Sequence, residues 1–243
     1  MRVGVYVDGF NLFYGGRGLC GRSVPGWRWL DIRKLSQQLI ENQSGWNDSE
    51  VSRVVFCTAR ISGSLNQDGQ KRQDVYLRAL TRFQSVDEVS LGNYVFRTTK
   101  APLALPDRHG RPLLTRPRWP IMIKEERGPI RPDTIFMASV ARREEKGSDV
   151  NVASHLLIDT MDDRIDAALV VSNDSDLAYP LREMRKRIPV AVINPTSKQT
   201  AGKLKGLPYE GVGRHWWYQL KISDFIDAQL PDQIGKLTKP ANW

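Results

Sequence analysis

Two short apolar runs each give way to aspartate. Val3-Gly4-Val5-Tyr6-Val7 ends in Asp8, and Ala167-Ala168-Leu169-Val170-Val171 leads through Ser172 and Asn173 to Asp174 and Asp176. Unbroken apolar runs of this length are the pattern of strands covered on both faces. Such strands belong to parallel sheets sandwiched between helices, and ligands of those sheets sit beyond the carboxyl ends of the strands. Asp8, Asp174 and Asp176 are therefore expected around one crevice, together with Asp149, which opens a helical segment. Carboxylates brought together repel one another. A hard divalent cation with oxygen ligands is the usual way of holding them.

The rest of the chain alternates in the same manner. Strands are expected at 2–7, 53–59, 86–97, 167–172 and 189–193, and helices at 30–42, 68–84, 147–162, 176–187 and, briefly, 199–206. Leu30, Leu35, Leu39 and Ile40 give the first helix its apolar side, and Val75, Leu77, Leu80 and Phe83 the second. Gly15, Gly16, Gly18 and Gly21 suggest a loop after the first strand. Residues 98–132 hold half of the chain's 14 prolines, at 102, 106, 112, 117, 120, 129 and 132. Proline at that density excludes a helix interior or a central strand. This stretch reads as an excursion, with a hairpin at Arg108-His109-Gly110-Arg111 and a basic set of Lys100, Arg108, Arg111, Arg116, Arg118, Lys124 and Arg127. The expected fold is an α/β three-layer sandwich around a mainly parallel sheet of about five strands. Residues 1–210 form its domain, 98–132 the excursion within it, and 211–243 a C-terminal extension packed on it.

Charge narrows the partners. Lys and Arg number 36 against 27 Asp and Glu, a net charge of +9. A basic body around an acidic crevice attracts a polyanion while keeping a metal site. The 2 cysteines, Cys20 and Cys57, lack the spacing of a zinc site or a disulfide scaffold and fit a reducing compartment. No basic-then-apolar leader opens the chain, and no stretch approaches the ~18 uninterrupted apolar residues of a membrane span. A cytoplasmic protein away from membranes is the expectation, and a homodimer is compatible with it.

Three segments carry the chemistry. Asp8-Gly9-Phe10-Asn11 aims two oxygen side chains from a strand end; Asp-Gly is equally a turn signal. Ser172-Asn173-Asp174-Ser175-Asp176 places two carboxylates where a strand yields to a helix; Asp174 is equally a helix cap. Glu144-Glu145-Lys146-Gly147-Ser148-Asp149 precedes the helix of Val152, Leu156 and Leu157, where Ser148 or Asp149 serves as a cap. His155, His109 and His215 lack ligand spacing. GxGxxG after the first strand, GxxxxGK[ST] and GxSxG are all missing, which disfavours dinucleotide binding, P-loop chemistry and a serine hydrolase.

Together the three segments resemble the NYN domain, in its LabA-like group, a branch of the PIN-like nuclease superfamily. That group has a first strand ending in Asp-x-x-Asn, a Lys-Gly-x-Asp-Val segment and a Ser-x-Asp-Ser-Asp strand end. Here they are Asp8-Gly9-Phe10-Asn11, Lys146-Gly147-Ser148-Asp149-Val150 and Ser172-Asn173-Asp174-Ser175-Asp176, in the same order. Gln73, Tyr76 and Ala79-Leu80, and the tail from Leu230-Pro231 to Lys239-Pro240-Ala241-Asn242-Trp243, are similar too. Asn173 departs from the glycine common there. The resemblance implies a PIN-like sheet and a Mg²⁺- or Mn²⁺-dependent endoribonuclease. Its alternatives are a non-catalytic RNA-binding or regulatory module and a DNA nuclease. Asp8, Asp149, Asp174 and Asp176 would be the metal ligands, with Asn11 orienting a phosphate or a ligand water. Lys146, Arg142, Arg143, Lys198, Lys203 and Lys205 would touch the RNA backbone.

Overall fold

The computed structural model of the protein describes residues 1–21, 24–63, 66–109, 111–114, 137–241 and 243, with the backbone alone for Arg143. Side chains alternate along β1 (Arg2–Asp8): Val3, Val5 and Val7 enter one core and Tyr6 the other. A strand buried on both faces must lie mid-sheet. β1 pairs in parallel with β2 (Glu50–Ala59) on one side and with β7 (Ala167–Val171) on the other. Parallel pairing continues from β2 to β3 (Glu88–Pro102), from β7 to β8 (Val190–Asn194) and from β8 to β9 (Trp216–Gln219). With β6 (Met137–Lys146), the order among the described residues is β6-β3-β2-β1-β7-β8-β9. Strand order therefore reverses between β1 and β7, and a crevice opens at their carboxyl ends.

Helices cover both faces. On the Val3 side, α1 (Gly9–Cys20), α2 (Ile32–Glu41), α3 (Gln67–Arg82) and α7 (Ile222–Asp227) bury Leu12, Leu35, Leu80 and Phe225. On the Tyr6 side, α4 (Ser148–Met161), α5 (Ala178–Arg185) and α6 (Gly202–Lys205) bury Leu156, Leu181, Met184 and Leu204. The result is a three-layer α/β fold with a mainly parallel sheet. Beneath it the Tyr6 hydroxyl donates to Asp159 at 2.9 Å, and Asp159 also accepts from Arg53 at 2.7 Å and Arg164 at 3.1 Å. Those donors offset the cost of burying a carboxylate.

Three sequence expectations change. The segment after β1 is not a glycine-rich loop but the helix α1. Gly15 is required there by contact, because a Cβ would collide with the carbonyl oxygen of Pro195 in the loop after β8. The main sheet holds seven strands among the described residues rather than about five. Residues 137–146, where no element is expected from the sequence, form β6.

Contacts divide the chain into a body, Met1–Asn93 with Glu145–Trp243, and a second unit, Tyr94–Glu144. Within the second unit, β4 (Ala104–Pro106) and β5 (Pro112–Leu114) form the expected hairpin, and the Asp107 carboxylate accepts from the amides of His109 and Arg111, each at 2.7 Å. Pro117, Pro120, Pro129 and Pro132, with Arg116, Arg118, Lys124 and Arg127, lie outside the described residues. In the body, residues 211–243 supply β9, α7 and the hairpin of β10 (Gln233–Ile234) and β11 (Leu237–Thr238). No helix among the described residues is long and apolar enough to cross a membrane.

Two glycines of α1 test its placement. Gly15→Ala is expected to lower stability by about 1–3 kcal/mol through overpacking against Pro195. Gly18 has open space where a Cβ would go. Gly18→Ala is expected to raise stability by about 0.5–1 kcal/mol. Urea midpoints read both, and shifts of the same sign would contradict this packing.

Candidate functional site

Asp8 ends β1 and caps α1. Its Oδ1 accepts from the amides of Phe10 at 3.1 Å and Asn11 at 3.0 Å, and its Oδ2 accepts from the Ser172 hydroxyl at 3.1 Å. Only 5% of the residue is exposed. Burial pushes its carboxyl above the usual range, and the nearby Asp174 charge adds to that push, while the Asn11, Ser172 and Phe10 donors oppose it.

Asp174, beyond β7, caps the short 3₁₀ turn Ser175–Leu177 by accepting from the Asp176 amide at 3.0 Å. Asp176 is exposed in that turn. Asp149 lies in the first turn of α4 but does not cap it. Glu145 does: its Oε1 accepts from the amide of Ser148 at 3.1 Å and from the Ser148 hydroxyl at 2.7 Å.

The neighbouring amides stitch the crevice together. The Asn11 side-chain oxygen accepts from the Asn173 amide at 3.0 Å, locking α1 to the end of β7. Asn173 is a tether rather than a ligand. Its Nδ2 donates to Thr196 and to the Gln199 carbonyl, each at 3.3 Å, and its Oδ1 accepts from the Ala201 amide at 2.9 Å. Asn194, fully buried, holds the same loop through Thr196 and the Lys198 carbonyl.

Asp8, Asn11, Asp149, Asp174 and Asp176 all line one crevice of about 990 Å³. Glu145, Phe10, Tyr14, Lys146 and Lys198 share its walls. Glu145 and the two rings were not among the expected site residues. Glu145 lies two residues before the cap position Gly147, and no capping motif marks it in the sequence. Of the other expected cations, Arg142 lies in the second unit, paired with Glu144 at 2.8 Å, and the Arg143 side chain lies outside the described residues. Lys203 and Lys205 are on α6, with the Lys205 ammonium 4.1 Å from the Trp217 ring centre.

Asp8, Asp174 and Glu145 accept from protein donors. Among the described residues no group of three or more His, Cys, Asp or Glu is placed to hold a metal ion. Two of the three histidines are engaged elsewhere: His155 bonds Ser90 at 3.1 Å, and His215 accepts from the Val190 amide at 3.0 Å. Cys57, the register partner of Asp8, is pushed up to about 12, first by burial and then by the charges of Asp8 and Glu88. It is not a thiolate nucleophile at neutral pH.

Along its whole length the chain is similar to a monooxygenase. The relative is 6-hydroxy-3-succinoylpyridine 3-monooxygenase HspA of Pseudomonas putida (strain DSM 28022 / S16), 27% identical over a 265-residue alignment that spans 100% of this chain and 75% of the relative. No family profile matches the chain. A solved structure from Vibrio parahaemolyticus RIMD 2210633, of unknown function, aligns over 94% of this chain and 96% of its own at 15% identity and TM-score 0.47.

The expected Mg²⁺- or Mn²⁺-dependent ribonuclease is overturned by these findings, as are the DNA nuclease and the RNA-binding module held as its alternatives. The full-length relative is an oxygenating enzyme, not a hydrolase of phosphodiesters. The physical reason for the misreading is that strand-end aspartates suit metals and helix caps alike, and here Asp8 and Asp174 cap. A dinucleotide's pyrophosphate does not fit these helix starts either. The amides it would need at α1 already bind Asp8, and the carboxylates of Glu145 and Asp174 stand at the other two.

The raised Asp8 carboxyl carries a stability signature. The folded state holds that proton more tightly than the unfolded chain, so the contribution is present at low pH and lost as pH rises through the raised value. Asp8→Asn keeps a capping oxygen and removes the charge. Its thermal midpoint is expected to match the parent in acid and to exceed it near neutrality by about 2–4 °C per kcal/mol recovered. A neutral-pH midpoint well below the parent's would show that the charged cap outweighs its desolvation.

Proposed function

We propose that the chain is an oxidoreductase that hydroxylates a small hydroxylated heteroaromatic acid in the β1–β7 crevice. The observation that carries this reading is the full-length similarity to a monooxygenase whose named substrate is a hydroxypyridine bearing a succinoyl chain. The crevice supplies matching chemistry. Phe10 and Tyr14 offer ring surfaces, Lys198 and Lys146 offer positive charge to a carboxylate, and Asp8 offers a buried acceptor for a ring-hydroxyl proton. Removing that proton raises electron density on the ring carbon to be oxidised. Where the attacked ring carbon bears hydrogen, one atom of dioxygen enters that carbon–hydrogen bond and the other leaves as water. Two electrons and one proton come from a hydride donor such as reduced nicotinamide, and a second proton comes from solvent. No step is assigned to a cofactor, given the occupied helix N-termini.

The accompanying proposal for the fold is the NYN, PIN-like arrangement. Its support is that Asp8, Asp149 and Asp174, from three separated segments, line one crevice at the switch point between β1 and β7. A shared fold carries no shared chemistry.

Purified protein, supplied with reduced nicotinamide and a panel of hydroxypyridine and hydroxybenzoate acids, is expected to place one atom of labelled dioxygen in the product. Asp8→Asn is expected to lower kcat/KM by about 10²–10⁴-fold. The parent's rate is expected to rise with pH through the raised Asp8 value, a limb the variant lacks. Mass spectrometry showing no label in any product, with or without an added reductase, would sink the proposal.

A further inference from the structure

A second large hollow lies against the same sheet, away from the crevice residues. Its volume is about 1010 Å³. The apolar lining is Val75 and Leu77 of α3, Val89 and Leu91 of β3, and Leu237 of β11. All five are aliphatic, whereas Phe10 and Tyr14 line the crevice. Leu91 is 43% exposed, an uncovered side chain on a wall of aliphatic neighbours.

Charge rims this hollow. Arg60, Arg78, Arg82 and Lys236 face a single carboxylate, Asp74. Asp74 is shared between Arg60 at 3.6 Å and Arg78 at 3.8 Å. Arg82 and Lys236 form no ion pair with a described residue. Gly235 opens the two-residue turn between β10 and β11 with φ +60, and a Cβ there would lie 2.8 Å from the Arg82 Nε. The Arg82 guanidinium thus lies against that turn, where glycine takes the positive φ. Unpaired cations over an aliphatic floor match a ligand with an anionic head and a hydrocarbon tail.

We infer that the groove between α3, β3 and the β10–β11 hairpin binds a medium-chain aliphatic carboxylate, its tail against Leu91 and Leu237 and its head on Arg82 and Lys236. The inference stands apart from the proposed oxidation, because no residue is shared between the two sites.

Isothermal titration of the full chain with decanoate, below its micellar concentration, tests it. Decanoate is expected to bind one to one, with decan-1-ol and decyltrimethylammonium at least about tenfold weaker. Arg82→Glu and Lys236→Glu are each expected to weaken decanoate by at least about tenfold, at a thermal midpoint matching the parent's. Leu91→Asp is expected to do the same through the tail. Lys198→Glu, in the crevice, is expected to leave decanoate affinity unchanged. The inference is overturned by equal affinity for the three probes, by indifference to both charge reversals, or by loss of binding with Lys198→Glu alone. Association with anionic phospholipid vesicles without decanoate binding also overturns it.

Discussion

The structure turns on a single interaction repeated: a carboxylate held against the free amides of a helix start. Asp8 does this for α1, Glu145 for α4 and Asp174 for the 3₁₀ turn that leads into α5. All three starts meet at the crevice where β1 and β7 part. Each cap satisfies donors that would otherwise be orphaned, and each negative charge sits at the positive end of a turn. These amide donors offset part of the cost of burying a carboxylate such as Asp8, though burial still raises its proton affinity. The same arrangement fills the positions where phosphates often bind in open α/β sheets.

Much of this was legible in the sequence. The apolar runs of β1, β7 and β8 revealed themselves because strands covered on both faces have no polar alternation to confuse them with anything else. The three acidic segments were correctly sensed as neighbours, since strand ends in a parallel sheet converge by topology. Their employment was not legible: a strand-end aspartate looks the same whether it binds a metal or caps a helix. Helix α1 was hidden because its glycines answer to contacts from elsewhere. Gly15 is small on account of Pro195, nearly two hundred residues away. Strand β6 was hidden because Arg142, Arg143, Glu144 and Glu145 carry charge at successive positions, so no period-two pattern survives.

The crevice walls are braced by amides rather than by packing alone. Asn11 joins α1 to the end of β7, Asn173 joins that end to the loop after β8, and Asn194 with Gln219 grips the loop from beneath. Asn173 and Asn194 spend both side-chain oxygen and nitrogen, and Asn11 its oxygen, so the walls share one network. Buried networks satisfied in this way are stiff, because shifting one member unpairs several. Such a frame fixes the backbone from which Phe10 and Lys198 project into the crevice.

Cys57 has a different consequence. Its thiol lies beside Asp8 in the sheet, fully buried, and holds its proton to about 12. Thiolate is the form that reacts with oxidants, and almost none is present at neutral pH. Burial first, and the charges of Asp8 and Glu88 after it, keep this sulfur in its unreactive protonated form. An oxidant entering that crevice would meet a protonated thiol, not a thiolate, on the strand beside Asp8.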